Sequence, residues 1–148
     1  MASKPVEIVE MTLAHYEAML ALLQETPGMS LRDADSREGT ARYLARNPGL
    51  SFVAVEEGQV VGCAMAGHDG RRGYLQHVVV LPAFRGRGVA QQLVARCLKQ
   101  LEREGIRKVH LDVLRTNEEA IGYWSRRGWQ RRDDLQRFSL VWNGQANA

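Results

Sequence analysis

Hydrophobic positions along the chain fall into short alternating runs and longer helical stripes, and their order predicts most of the elements. Val6-Glu7-Ile8-Val9-Glu10 alternates and reads as a first strand. Thr12 then stands as the N-cap of a helix with Leu13, Tyr16, Met19, Leu20 and Leu23 on one face, ended by Pro27-Gly28. Ser36, with Glu38 and Gly39, opens a second helix bearing Ala41, Tyr43 and Leu44, and Asn47-Pro48-Gly49 stops it. Leu50 to Val55 and Val60 to Ala66 alternate on either side of Glu56-Glu57-Gly58-Gln59, a hairpin pattern. Gly67 to Gly73 is polar and glycine-rich, and is expected as an exposed turn outside regular structure.

The period changes most sharply in the next stretch. Tyr74-Leu75-Gln76-His77-Val78-Val79-Val80-Leu81 is a β-branched run closed by Pro82, which has no N–H for a ladder. After Ala83-Phe84-Arg85-Gly86-Arg87-Gly88 comes a helical stripe of Val89, Leu93, Val94, Cys97, Leu98 and Leu101. The order is strand, glycine-rich turn, helix. Gly105 ends that helix, and Lys108 to Leu114 alternates as a further strand. Thr116 or Asn117 caps a short helix with acids in its first turn and Gly128 at its end. Two last strands are expected at Trp129 to Arg132 and Arg137 to Trp142, then a polar tail from Asn143 to Ala148.

Length and composition narrow the class without choosing a function. The 148 residues, 45% apolar and 25% charged, suit one globular domain over residues 1–148. No apolar run approaches the roughly 18 residues that span a bilayer, and Met1 to Pro5 lacks a signal-peptide core. A cytoplasmic protein without membrane association is expected. The two cysteines, Cys63 and Cys97, lack C-x-x-C spacing and sit in apolar patterns, so they read as small buried hydrophobes. The scattered histidines His15, His68, His77 and His110 have no metal-ligand spacing, and no metal is expected. A net charge of +3 is what a site for a polyanionic cofactor would also give. The C-terminal arginines lack any stacking-aromatic motif and are interrupted by Asp133 and Asp134, so no nucleic-acid partner is expected.

The strand–turn–helix junction carries chemistry. Gly86 and Gly88 let the backbone bend tightly and let a ligand approach the main chain. The first N–H groups of a helix lack partners within it, and the dipole adds positive charge at that end. With Arg85 and Arg87 beside them, these groups form a site for a phosphate or pyrophosphate. Gly88-Val89-Ala90 does not supply the Gly-Lys-Ser/Thr ending of a Walker loop, and Gln91 stands where a dinucleotide fingerprint needs its last glycine. What remains is R-x-x-G-x-A, from Arg85 through Gly88 to Ala90. It resembles the acyl-CoA signature Q/R-x-x-G-x-G/A of the GCN5-related N-acetyltransferase (GNAT) family. Asn117, Ala120, Ile121, Gly128 and Trp129 resemble that family's second motif. The turn from Gly67 to Gly73 resembles that of a subset of small bacterial, YpeA-like members.

The resemblance implies an α/β (α+β by some schemes) single-domain fold, a mixed, mostly antiparallel splayed sheet of six to seven strands with about four helices. It implies acetyl-CoA as co-substrate, bound between the strands at Val80 and Val113. Pantetheine would pair with the backbone of Val78, Val79 and Val80, and pyrophosphate would sit on Arg85, Gly86, Arg87, Gly88, Val89 and Ala90, with Asn117 and Trp124 as further contacts. A primary amine, of a small molecule or a peptide or protein, would attack the thioester directly. The alternative is a CoA-binding sensor or structural subunit without transfer activity. The family's usual acid, a tyrosine seven residues after the motif's asparagine, is Trp124 here, with Tyr123 beside it. An indole cannot act as an acid near neutral pH, whereas a phenol has a pKa of about 10. Either Trp124 only packs on pantetheine, or a bulge turns Tyr123 inward to protonate the thiolate; water could also do so. His77, on the cofactor strand, is the candidate base, with a satisfied sheet histidine as the other reading and His110 and Asp112 as weaker alternatives. The apolar residues Trp129, Phe138, Leu140 and Trp142 suggest a homodimer through the C-terminal region.

Overall fold

The computed structural model describes residues 5–143 and 147–148, so part of the expected polar tail lies outside the described residues. Two compact units emerge, Met1–His110 and Leu111–Ala148. The first holds a five-stranded sheet in the order β1 (Glu7–Glu10), β2 (Phe52–Glu56), β3 (Gln59–His68), β4 (Gly73–Val80) and β5 (Val109–His110). The first four strands pair antiparallel and β5 joins β4 in parallel, so the sheet is mixed and mostly antiparallel as expected. Its helices are α1 (Tyr16–Gln24), α2 (Arg37–Arg46) and α3 (Val89–Arg103). The second unit contributes α4 (Glu118–Arg126).

Local chemistry explains most boundaries. Glu57 and Gly58 both take positive φ, the geometry of a two-residue hairpin turn whose twist matches its strands. Ser36 Oγ accepts from Gly39 N–H at 3.0 Å and so starts α2. Alternation in the sheet serves two faces. Val53, Cys63, Met65 and Val79 cluster with Met11, Tyr16, Met19, Leu22 and Leu23 on the α1 side. On the α3 side, Leu93, Cys97 and Leu101 are fully buried, and a Cβ at Gly62 would meet both Val80 and Leu93 within 3.3 Å. That glycine lets α3 press onto the sheet at the end of β4.

Four expectations need correction. Gly67 and His68 extend β3 and Gly73 opens β4, so the turn shrinks to Asp69–Arg72. Asp69 Oδ1 organises it by accepting from the N–H groups of Arg71 and Arg72, both at 2.8 Å, and those bonds lower the carboxyl's pKa. Gly67 is needed in the strand because a Cβ there would lie 2.6 Å from Tyr43 Oη and 2.7 Å from Asn47 Nδ2.

The strand expected at Lys108 to Leu114 is only Val109–His110, so Val113 is not in a strand. The ladder stops because β5 registers with Gly73 and Tyr74 alone.

The strands expected at Trp129–Arg132 and Arg137–Trp142 do not form, and the sheet has five strands among the described residues in place of six or seven. Alternation supplied the right side chains but no ladder partner. Instead the chain is tied locally, Arg131 to Asp133 at 2.8 Å and Arg132 to Asp134 at 3.1 Å, across a turn at the two aspartates.

Candidate functional site

Helix α3 begins at the loop singled out in the sequence. Gly86 and Gly88 have φ of 78° and 75°, a left-handed conformation that glycine takes at no steric cost. The helical ladder opens with Gln92 N–H on the Gly88 carbonyl at 3.1 Å, and the N–H groups ahead of it have no intrahelical acceptor. A Cβ at Gly86 would meet nothing within 4 Å, and one at Gly88 only Gln91 Oε1 at 3.7 Å. The face of the loop is therefore open to an incoming group. Val89 is buried and anchors the helix start.

Both arginines are oriented by the protein. Arg85 Nε donates to the Val80 carbonyl at 3.4 Å. Arg87 pairs with Glu56 at 3.2 Å, and its guanidinium lies 4.9 Å from the Phe84 ring centre. The pairing of Arg87 partly offsets the positive charge the sequence places there.

Strand β4 leads into this loop. Its pairing with β5 ends at Tyr74↔His110, so Val79 and Val80 pair with β3 while the run Val78–Val80 has no strand on the other side among the described residues. That edge can take an extended ligand. The strand is also kinked: Cys63 faces Val79 while Met65 faces Gln76, one residue more on β4 than on β3. His77 sits in this bulge with φ 51°, and its Nε2 lies 2.7 Å from Asp35 Oδ1. The sequence placed His77 on the cofactor strand but gave no signal of Asp35, which reaches it from a short 3-10 turn (Asp33–Asp35) ahead of α2.

The other candidates have local roles. Asn117 Oδ1 accepts from Ala120 N–H at 3.0 Å, so its oxygen caps α4. Tyr123 and Trp124 meet edge to face at 5.0 Å between ring centres, and Trp124 meets Trp129 likewise at 5.3 Å. The Tyr123 hydroxyl is buried without a hydrogen-bond partner, and Arg127 lies 4.5 Å from its ring centre. His110 stacks obliquely on Tyr74 at 5.8 Å, and Asp112 pairs with Arg137 at 3.0 Å, which leaves neither placed as a base by its contacts. Burial pushes the thiols of Cys63 and Cys97 up to about 12, as befits buried hydrophobes. A cleft of about 300 Å³ between the segment Glu10–Leu13 and the end of α2 is lined by none of the residues of the glycine loop.

Comparison with known proteins decides what this loop belongs to. The model of the acetyltransferase (GNAT) family matches residues 16–129. The chain belongs to the GNAT acetyltransferase family. An acetyltransferase of Pectobacterium atrosepticum is 41% identical over 85 residues, 57% of this chain and 60% of that protein. One from Yersinia enterocolitica is 36% identical over 94 residues, 64% of this chain and 67% of that protein. The matched part thus spans about three fifths of the first relative's length. Among solved structures, the aminoglycoside N-acetyltransferase AAC(6')-Iy, in complex with the bisubstrate analogue CoA-S-monomethyl-acetylneamine, superposes with a TM-score of 0.73 at 25% identity, covering 93% of this chain and 99% of that one. The GNAT fold is therefore present despite the shortened sheet. No helix among the described residues is long and apolar enough to cross a membrane.

Proposed function

We propose that this GNAT protein transfers the acetyl group of acetyl-CoA to a primary amine. The observation that carries the reading is the open loop at Gly86 and Gly88, which delivers helix N–H groups beside two arginines at the end of a strand with an unpaired edge. A pyrophosphate fits there because it needs several N–H donors and close backbone approach. Val78, Val79 and Val80 would bind the pantetheine amides. Arg85, Gly86, Arg87, Gly88, Val89 and Ala90 would hold the pyrophosphate. Arg85 need not leave Val80, because a carbonyl oxygen has two lone pairs.

His77 would take the proton from the acceptor amine, whose nitrogen then attacks the thioester carbon. Backbone N–H groups near the bulge would stabilise the oxyanion, and the C–S bond breaks as CoA thiolate leaves. Trp124 is proposed as a pantetheine contact, Asn117 as the cap that sets the start of its helix, and Tyr123 as the alternative source of the thiolate's proton. A second copy of the chain is proposed as partner for the exposed apolar residues Leu135, Phe138, Leu140 and Trp142.

The test is release of free thiol from acetyl-CoA across a panel of small amines, neamine, lysine peptides and peptide N-termini. Amine-dependent release is expected. Tight acetyl-CoA binding with no release on any amine would replace the enzyme with a CoA-binding sensor.

A further inference from the structure

His77 is held by more of the molecule than a spacer in a strand requires. A non-glycine residue at positive φ persists only where its surroundings hold it. The His77 carbonyl accepts from Cys63 Sγ at 3.2 Å, and its ring is tied to Asp35. Asp35 is fixed in turn. Its Oδ2 accepts from Arg32 N–H at 2.8 Å, its carbonyl accepts from the Tyr16 hydroxyl at 2.8 Å, and its N–H reaches the Arg32 carbonyl at 2.9 Å. The two side chains are 15% and 17% exposed, sheltered but not sealed.

This arrangement selects one form of the ring. An ionised carboxylate only accepts, so Nε2 carries the proton toward Asp35 and Nδ1 keeps its lone pair. Nδ1 makes no hydrogen bond among the described residues, and it is not among their buried, unpartnered atoms. The ring therefore presents an acceptor nitrogen that water, or a substrate, can reach. The Cys63 thiol and the Tyr16 phenol hydrogen-bond to the backbone of the pair, with Glu17 and Arg37 beside that phenol and Arg32 and Asp33 in the same turn as Asp35. Both hydrogen-bonding groups remain protonated at neutral pH, the thiol because burial raises it to about 12.

We propose that Asp35 is the positioning residue for His77, fixing the tautomer whose Nδ1 removes a proton from an alkylammonium acceptor. The inference rests on the acetyl-transfer reading above. An acceptor arriving as R–NH3+ gives one proton to Nδ1, and the imidazolium is stabilised by the Asp35 carboxylate. The amine lone pair forms the C–N bond and the C–S electron pair goes to sulfur. A second nitrogen proton neutralises the thiolate, and the imidazolium returns its own proton to water. Acetylated amine, CoA thiol and one released proton account for every atom.

Asp35→Asn tests the assignment with little change in shape. If the amide oxygen stays on Arg32 N–H, its NH2 group faces Nε2 and drives the ring proton to Nδ1. Long-range 1H–15N spectra of the full chain with labelled histidine should show His77 as the Nε2–H tautomer in the natural protein and as Nδ1–H in Asp35→Asn. With n-butylamine, an alkylamine of pKa about 10.4 like lysine, kcat should fall on the order of 10- to 1,000-fold. With glycylglycine, whose α-amine has a pKa of about 8, the loss should be several-fold smaller. The KM for acetyl-CoA should not move. His77→Gln should show the same amine-dependent split.

Equal losses for both amines, or no loss, would overturn the proposal, as would an Nδ1–H or mobile ring in the natural protein. If neither amine turns over, the spectra alone decide whether Asp35 sets the tautomer. Absent acetyl-CoA binding by calorimetry would instead sink the parent reading.

Discussion

The residues up to His110 and those after it are built by different means. In the first unit, a sheet covered on both faces buries Met19, Leu23, Val53, Val61, Leu93 and Leu101 almost completely. In the second, no residue of α4 is buried, and Leu114, Leu135, Phe138, Leu140 and Trp142 stand in solvent. The first unit is shaped by apolar burial and by a ladder that checks every strand's register. The second is shaped by a cap, an aromatic cluster and ion pairs between near neighbours. Hence the proposed cofactor loop rests on rigid elements, whereas the aromatic pair Tyr123–Trp124 rests on local contacts. A site borne on the first is held by packing and by the sheet; one borne on the second is held by fewer, local contacts.

The sharpest way to break this contrast is to cut into each unit. Leu93→Ala should destabilise the protein by about 2–5 kcal/mol in denaturant unfolding, since it removes a fully buried side chain where α3 meets the sheet. A loss under about 0.5 kcal/mol would mean the first unit is not held by this packing.

Burial of the two thiols adds an alkaline sensitivity confined to the same unit. Their folded pKa of about 12 lies above the ordinary value of 9.0, so the unfolded chain loses these protons first. The sign follows: their contribution is complete below pH 9 and is lost as pH rises toward 12. Denaturation at pH 8 and pH 10.5 should show a smaller alkaline loss in a Cys63→Ala, Cys97→Ala variant than in the natural chain. Equal losses would show that the thiols are solvated.

Legibility followed local signatures in both units. Val78–Val80, the glycine turn and the α3 stripe could be read because each carries a local physical signature: β-branching, a proline stop, glycines at positive φ, a helical period. Ser36, the Glu57-Gly58 turn and the buried cysteines could be read for like reasons. Asp35 could not, because its partner His77 is 42 positions away and nothing in the local pattern announces a bulge. Gly67 was misread because its reason is the approach of Tyr43 and Asn47, a tertiary demand that imitates a turn signal. The last two strands were read from alternation alone, which names faces but cannot supply a neighbour.

Within the second unit, Tyr123 sharpens the comparison at a smaller scale. Its hydroxyl is buried and unpartnered, so Tyr123→Phe should be neutral to stabilising by up to about 1 kcal/mol. Turnover should stay within a few-fold if the tyrosine only packs. A fall of more than about 100-fold with unchanged acetyl-CoA affinity would make Tyr123 the acid. Trp124→Tyr should raise turnover if proton delivery to the thiolate limits the rate.

The smallest effect is expected at Phe138, which is 93% exposed. Phe138→Ser should change unfolding by no more than about 0.5 kcal/mol at concentrations where the chain is monomeric. Where light scattering gives a dimer mass, the same change should lower it. A monomer mass for the natural chain at every concentration would remove the proposed partner.

The central claim is that the turn at Gly86 and Gly88 binds the pyrophosphate of acetyl-CoA, and calorimetry on Gly88→Glu tests it most directly. The substitution puts a carboxylate into the open space before the helix N-terminus and strains a backbone at φ 75°. Circular dichroism should show the fold retained while acetyl-CoA affinity falls at least 100-fold, which corresponds to about 2.7 kcal/mol. A folded Gly88→Glu protein that binds acetyl-CoA as tightly as the natural chain would contradict the account.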